Sequence, residues 1–231
     1  MKSLFLFVIL IFELAASEQI LLVIANDFNT SQAMLQRYER KSGHYRAVGK
    51  PIDVNIGRNG LGWGEGKFTI PHSEGEPVKH EGDGKAPAGI FELRTAFGYA
   101  PELSTPMPYR QATDDLICVD DSQSPFYNQL VTIDATKPVK SFEWMHRDDE
   151  LYAIGITVAH NRSQKTDAGS CIFLHIEKGE NLPTSGCTSM KRSSLETIAQ
   201  WLRPDAGPLL VQIPKRYCSE IESRYPGIKC P

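Results

Sequence analysis

Gly169-Ser170-Cys171-Ile172-Phe173-Leu174-His175 is an apolar run that opens on small residues and ends on a histidine. Pro183-Thr184-Ser185-Gly186-Cys187-Thr188 follows, a small-residue loop whose cysteine lies twelve positions beyond that histidine. A short apolar stretch rich in aromatic and branched residues reads as a buried β-strand, so the histidine closes a strand and the cysteine is offered by a loop. Thiol chemistry needs a base for the S–H proton, donors for a developing oxyanion and a backbone that leaves the sulfur open. His175 is the candidate base and Cys187 the candidate nucleophile. The Gly186 and Cys187 amides are the candidate oxyanion donors, and glycine admits close approach of a substrate to the chain.

Outward from this core, residues 45 onward read as short β-like runs broken by glycine, proline and asparagine. They fall at 52–56, 89–93, 116–119, 130–133, 152–158, 171–176 and 209–213, and predict a mainly β domain, sandwich-like or barrel-like, with flanking helices. Residues 19–25 predict an apolar strand. Residues 30–42 predict a helix that starts at Asn29/Thr30, packs through Ala33, Met34, Arg37 and Tyr38, and stops before Gly43. A second helix is predicted over 195–202, because Leu195, Ile198, Ala199 and Leu202 recur at helical spacing, with Ser193 and Glu196 spaced as a capping box. It would fix the exit of the cysteine loop. The loops at 75–84 and 100–113, rich in charge, proline and small residues, are candidates for framing a cleft.

The 231 residues are 41% hydrophobic and 23% charged, which fits one well-buried core, and a net charge of −3 gives no basic patch to attract nucleic acid or an anionic membrane. Lys2, the apolar run 4–12 and Ala15-Ala16-Ser17 predict a signal peptide over 1–17 with the mature chain starting at Glu18; the run is short of the ~20 residues a membrane-spanning helix needs. Export would set the five cysteines in an oxidising compartment. Cys218 and Cys230 flank a segment of little hydrophobic content that a bridge would pin. Cys118 and Cys171 sit in apolar runs and either pair or stay buried and inert. Sequence leaves the connectivity open, but two such pairs would leave Cys187 free.

Other constellations are weaker. His72, His80, Glu81 and Asp83 carry metal-ligand chemistry, yet Pro71, Gly75, Pro77, Gly82 and Gly84 preclude the single helix face that would align them. The glycines of 57–66 precede no helix signal and read as a tight turn near a groove rather than a phosphate cradle. Arg58 has the planar fork that suits a carboxylate, with a structural ion pair as the alternative. His160 and Asn161 close the 152–158 run, either as substrate contacts or as a polar turn.

These landmarks stand in order along the chain: Gly57-Arg58-Asn59-Gly60, Asp83-Gly84-Lys85-Ala86-Pro87-Ala88-Gly89-Ile90-Phe91, Ala96-Phe97-Gly98-Tyr99, Asp114-Asp115-Leu116, Tyr127-Asn128, Ala159-His160-Asn161, and the histidine and cysteine segments above. From about residue 57 to 201 the chain resembles the L,D-transpeptidase catalytic domain, or YkuD domain, of bacterial cell-wall enzymes, in its periplasmic branch. The usual motif has a second histidine where Ser185 stands and Arg or Asn where Ser189 stands. The resemblance implies a YkuD-like β-sandwich catalytic domain over 45–214, preceded by a strand and helix at 18–44 and followed by a tail at 215–231.

It further implies His175 as base and Cys187 as the nucleophile that takes the acyl group of a peptidoglycan tetrapeptide stem, with no metal or organic cofactor. Arg58, His160, Asn161, Thr184 and Ser185 are the candidate substrate contacts, and the departures at Ser185 and Ser189 fall on the acceptor side. The expected protein is a periplasmic or wall-associated monomer that binds peptidoglycan stems, with no nucleic-acid partner and no stable membrane insertion. An L,D-carboxypeptidase using the same thioester is the near alternative, and a non-catalytic wall-binding protein the distant one. A thiol beside its base is expected to label faster than an inert buried one.

Overall fold

The computed structural model describes residues 17–135 and 139–230, so the expected signal segment, apart from Ser17, lies outside the described residues. In chain order the elements are β1 (Gln19–Ala25), β2 (Gln32–Lys41), β3 (His44–Asn55), β4 (Leu61–Trp63), β5 (Ala86–Gly98), β6 (Tyr109–Gln111), β7 (Leu116–Val119), β8 (Leu130–Thr132), β9 (Phe142–Trp144), β10 (Ile154–Val158), β11 (Phe173–Ile176), β12 (Thr188–Met190), α1 (Arg192–Trp201), β13 (Leu209–Pro214) and α2 (Cys218–Arg224). The protein is mainly β. The main sheet runs β10-β11-β12-β3-β2-β1-β13-β5, and β5 pairs back onto β10, so eight strands close into a barrel. A separate three-stranded sheet, β8-β7-β9, lies beside it.

β1 explains the closure. All seven of its residues are buried, as expected of a near-continuous apolar strand covered on both faces, and it pairs in parallel with β13 and antiparallel with β2. The segment 18–44 is therefore part of the barrel wall rather than an addition to it.

The helix expected over 30–42 is β2. Asp27 Oδ1 accepts hydrogen bonds from the Asn29 and Thr30 amides and from the Thr30 hydroxyl, a local turn that reverses the chain after β1. Ser42 and Gly43 both have positive φ, 51° and 83°, and sit between the paired residues Lys41 and His44. The glycine read as a helix stop is half of a two-residue hairpin turn. A register shift between Leu35 and Arg37 places Leu35 and Gln36 both in the buried class. That bulge breaks the alternation that would have marked a strand.

α1 forms as expected, with Leu195, Ile198, Ala199 and Leu202 all buried, but the capping box does not. Ser193 lies inside the helix, and Lys191 precedes it with no side-chain cap. The tail is held by more than its bridge: Ile221 and Ile228 are buried, and Tyr225 packs edge-on against Tyr45 with ring centroids 5.6 Å apart.

Two apolar clusters result. The larger fills the barrel and takes in α1 and the tail. The smaller joins the three-stranded sheet to the barrel wall through Phe97, Leu116, Cys118, Tyr152, Cys171, Phe173 and Cys187. The candidate nucleophile belongs to the second.

Candidate active site

β11 and β12 run in parallel with Leu174 opposite Thr188 and His175 opposite Ser189. Side chains alternate along a strand, so Phe173 and His175 share a face with Cys187 and Ser189. The opposite face turns inward, where the Thr188 hydroxyl donates to Gln212 Oε1 at 2.8 Å. His175, Cys187 and Ser189 line one cleft of about 540 Å³.

Cys187 is held by two hydrogen bonds through its sulfur. The Phe173 amide donates to its Sγ at 3.3 Å, and its S–H donates to the Cys171 carbonyl at 3.5 Å. Cys171 is itself fixed in a left-handed conformation, φ 55°, by the hydrogen bond its amide donates to Asn128 Oδ1 at 3.0 Å and by the Cys118–Cys171 disulfide. With Cys218 bonded to Cys230 as well, Cys187 is the free cysteine. His175 Nδ1 lies 2.7 Å from the Ile176 carbonyl. A carbonyl only accepts, so Nδ1 carries the proton and Nε2 keeps the lone pair a base requires.

Burial governs the charges. It pushes the Cys187 thiol up to about 12, aided by the nearby Glu143 carboxyl, and pulls the His175 imidazole down to about 4, aided by Arg147. The resting pair is a thiol beside a neutral imidazole. A neutral resting thiol is expected to label slowly, whereas the reading of the sequence expects fast labelling.

Thr184 shapes the loop. Its hydroxyl donates to the Cys187 carbonyl at 2.6 Å and accepts the Gly186 amide at 3.1 Å, and its backbone bridges to the turn at 57–60 through the Arg58 amide at 2.9 Å. The Gly186 amide is thus engaged within the loop, a correction to its expected role as an oxyanion donor; the Cys187 amide is the donor the loop has left to offer. Gly186 has φ 155°, and a Cβ there would meet the Lys85 carbonyl at 3.0 Å. Arg58 makes the cleft mouth with Ser185, donating to its hydroxyl at 3.2 Å. Of the two loops expected to frame the cleft, 75–84 does so through Lys79, Glu81 and Gly82, while residues 100–113 do not line it.

His160 and Asn161 do not reach this cleft. Both are buried, and they line a different cavity of about 340 Å³ on the other side of the Cys171–Phe173 segment. His160 Nε2 donates to the Ala168 carbonyl at 2.9 Å, and burial lowers its pKa to about 4. Asn161 Nδ2 donates to the Lys165 and Gly169 carbonyls, each at 3.0 Å, and its Oδ1 accepts the Lys165 amide at 2.9 Å. These residues brace the loop that delivers Cys171 and line a cavity apart from the Cys187 cleft.

Tyr152 and Glu143, unforeseen from the sequence, line the cleft together with Glu81 and Lys79 of the 75–84 loop. The Tyr152 ring stands edge-on to His175 at 5.3 Å, and its hydroxyl donates to Glu143 Oε2 at 2.7 Å. Glu143 sits opposite Cys118 across β7 and β9, so the disulfide that fixes Cys171 also brings this carboxyl to the site; burial raises its pKa. Glu81 accepts the Ser170 hydroxyl at 2.6 Å and the Tyr127 hydroxyl. Lys79, 4% exposed, pairs with Asp83 at 2.6 Å. Three of the four potential metal ligands have other contacts: Asp83 pairs with Lys79, Glu81 accepts two hydroxyls, and the His72 ring stacks on Trp63 at 4.6 Å.

No family model matches this chain, and no curated protein matches it. It is similar to the solved structure of Bdellovibrio bacteriovorus Bd1075, at 15% identity and a TM-score of 0.42, over 85% of this chain and 48% of that one. The chain spans about half the length of that structure.

Proposed function

We propose that this protein is an exported cysteine acyltransferase of the L,D-transpeptidase type, acting on peptidoglycan tetrapeptide stems. In this reading the closed sheet and the small sheet beside it are a YkuD-like catalytic domain. The observation that carries it is the pairing of the free Cys187 with His175 on one face of β11 and β12, the histidine locked in the tautomer of a base and both lining one cleft.

The neutral resting pair sets the order of events. His175 Nε2 takes the thiol proton as Sγ attacks the carbonyl between the third residue of the stem, a diamino acid, and the terminal D-alanine. The oxyanion forms against the Cys187 amide, the proton passes to the departing D-alanine amine, and a Cys187 thioester remains. An acceptor amine or water then takes the acyl group. Arg58 and Ser185 at the mouth suit a carboxylate of the stem. Two disulfides support an oxidising compartment, hence the periplasm or cell wall, and stems are the proposed partner of a monomer.

Mass spectrometry of purified tetrapeptide muropeptides incubated with the protein and with Cys187→Ala tests the reading. Loss of D-alanine, a cross-linked dimer or an amine-exchanged stem with the parent protein alone is expected. Product formation that is unchanged in Cys187→Ala, or no product from either, would overturn it and favour a binding role.

A further inference from the structure

The cavity of about 340 Å³ behind the Cys171–Phe173 segment is a second pocket of ligand size, since small-molecule sites begin at about 300 Å³. Its lining holds two charged residues, Arg94 and Arg162, and no aspartate or glutamate. Their side chains are 49% and 53% exposed, so both are within reach of a solute. Arg94 donates to Glu92 Oε2 through Nε and Nη2 at 3.2 and 2.7 Å, Arg162 donates to the same oxygen through Nη1 at 3.1 Å, and Lys67 pairs with Glu92 Oε1 at 2.8 Å. Glu65, bonded to the amide and hydroxyl of Ser163, adds a second carboxylate. Three cations against two carboxylates leave a positive excess here, on a chain whose net charge is −3. Arg162 gives Glu92 only Nη1, so its Nε–Nη2 edge has no hydrogen-bond partner among the described residues. That planar edge fits two oxygens of a carboxylate or a phosphate.

We infer that this cavity is an effector site for a small molecule bearing a carboxylate or phosphate group, and that its occupancy governs access to the Cys187 thiol. The inference goes beyond the proposed chemistry and does not rest on it. A cleft lined by charge of one sign concentrates ions of the other. The link to the thiol is the wall between the cavities, for Cys171 and Ile172 line both. The Cys171 carbonyl receives the Cys187 S–H, and the amide of Phe173, which lines the second cavity, donates to Cys187 Sγ. Asn128, which holds the Cys171 amide, and Cys118, bridged to Cys171, line that cavity as well. A ligand there packs against the frame of the thiol without entering its cleft. Cys187 is 8% exposed, so a reagent reaches the sulfur through local opening of that frame, and a ligand that binds the closed frame suppresses the opening.

Amide NMR titration and iodoacetamide labelling of Cys187 test it, with N-acetylglycine and inorganic phosphate as separate probes and ionic strength held constant with chloride. Saturable shifts at Arg162 and at residues 171–173 are expected from at least one probe, and the probe that gives them names the ligand class. At saturation that probe is expected to slow Cys187 labelling at least about fivefold, the lower end of ordinary coupling between sites. Arg94→Gln/Arg162→Gln, which removes two exposed charges outside the Cys187 cleft, should abolish the shifts and the slowing. Arg58→Gln, at the cleft mouth, should leave both in place. The titration of the parent needs no variant to fold. No saturable shift with either probe overturns the inference, as do shifts that Arg58→Gln removes and binding that leaves the labelling rate unchanged. None of these readouts uses muropeptide turnover, so the acyltransferase reading stands or falls separately.

Discussion

Alkylation of Cys187 in the substrate-free protein separates a neutral resting pair from a preformed thiolate and imidazolium. With the thiol pushed up to about 12 by burial, about one molecule in 10^5 is thiolate at pH 7, against about one in 30 for an ordinary cysteine of pKa ~8.5. The ionised fraction is smaller by roughly three and a half decades. A more basic thiolate is also a better nucleophile, with a Brønsted slope of about 0.4–0.5 in thiol exchange, which returns roughly one and a half decades. The net expectation is labelling by iodoacetamide about a hundredfold slower than a free cysteine at pH 7, rising close to tenfold per pH unit up to about pH 10. Because the imidazole is uncharged above its pKa of about 4, His175→Ala should leave this resting rate nearly unchanged while abolishing acylation by substrate. A rate that levels off above an inflection between pH 5 and 7, and that His175→Ala removes, would refute the reasoning by showing an ion pair at rest.

Both buried histidines should make the fold acid-sensitive. His160 and His175 have folded pKa values near 4 against 6.5 unfolded, so the unfolded chain gains the proton first; their contribution is whole above about 6.5 and lost as pH falls toward 4, by ~3 kcal/mol each. Urea midpoints across that window should show it, and His160→Gln should reduce the slope by about half of the histidine share. The Cys118–Cys171 bridge closes 53 residues and the Cys218–Cys230 bridge 12, so replacing the first pair with serines should cost about 4 kcal/mol and the second about 3 kcal/mol by loop entropy. Denaturation checks the order, and loss of turnover below the melting point is expected only for the first. Asn161→Ala strands the buried Gly169 carbonyl, at roughly 1–3 kcal/mol for a buried group left unpaired; its KM while folded should match the parent, since the side chain does not line the Cys187 cleft. Tyr152→Phe removes the donor on Glu143 and should lower kcat more than it changes KM.

The meeting of His175 and Cys187 in one cleft was legible because both of its requirements are local. A strand ending at His175 and a glycine-bearing loop before Cys187 need only a parallel pairing to meet, and β11 and β12 supply it. The cysteine arithmetic worked for a similar reason, since the two pairs left Cys187 as the remainder. What failed depended on the third dimension. β2 hid because Ala33, Met34, Arg37 and Tyr38 stand at helical spacing and the bulge between Leu35 and Arg37 breaks the strand alternation, and a hairpin glycine imitates a helix stop. His160 and Asn161 adjoin the site in sequence and share a wall with it, yet the left-handed Asn161, φ 48°, turns them into the loop that supports Cys171. Glu143 and Tyr152 offered no signal, because only the pairing of β7 with β9 and the disulfide across from it bring the carboxyl to the thiol.

Cys171 joins the architecture to the chemistry. Its carbonyl receives the Cys187 S–H, its amide is held by Asn128, and Asn128 Nδ2 in turn donates to the His160 and Asn161 carbonyls. Its sulfur reaches Cys118, whose neighbour across the sheet is Glu143. Cys187 is therefore positioned by a covalent tie to one sheet and a hydrogen-bonded brace from the barrel. A site of this kind tolerates changes at its mouth, where Arg58 and Ser185 are exposed, far better than changes to the buried frame beneath it. On the proposed function, selection for a different stem or acceptor can act on the mouth while the thiol, its base and the bridge that locates them stay fixed.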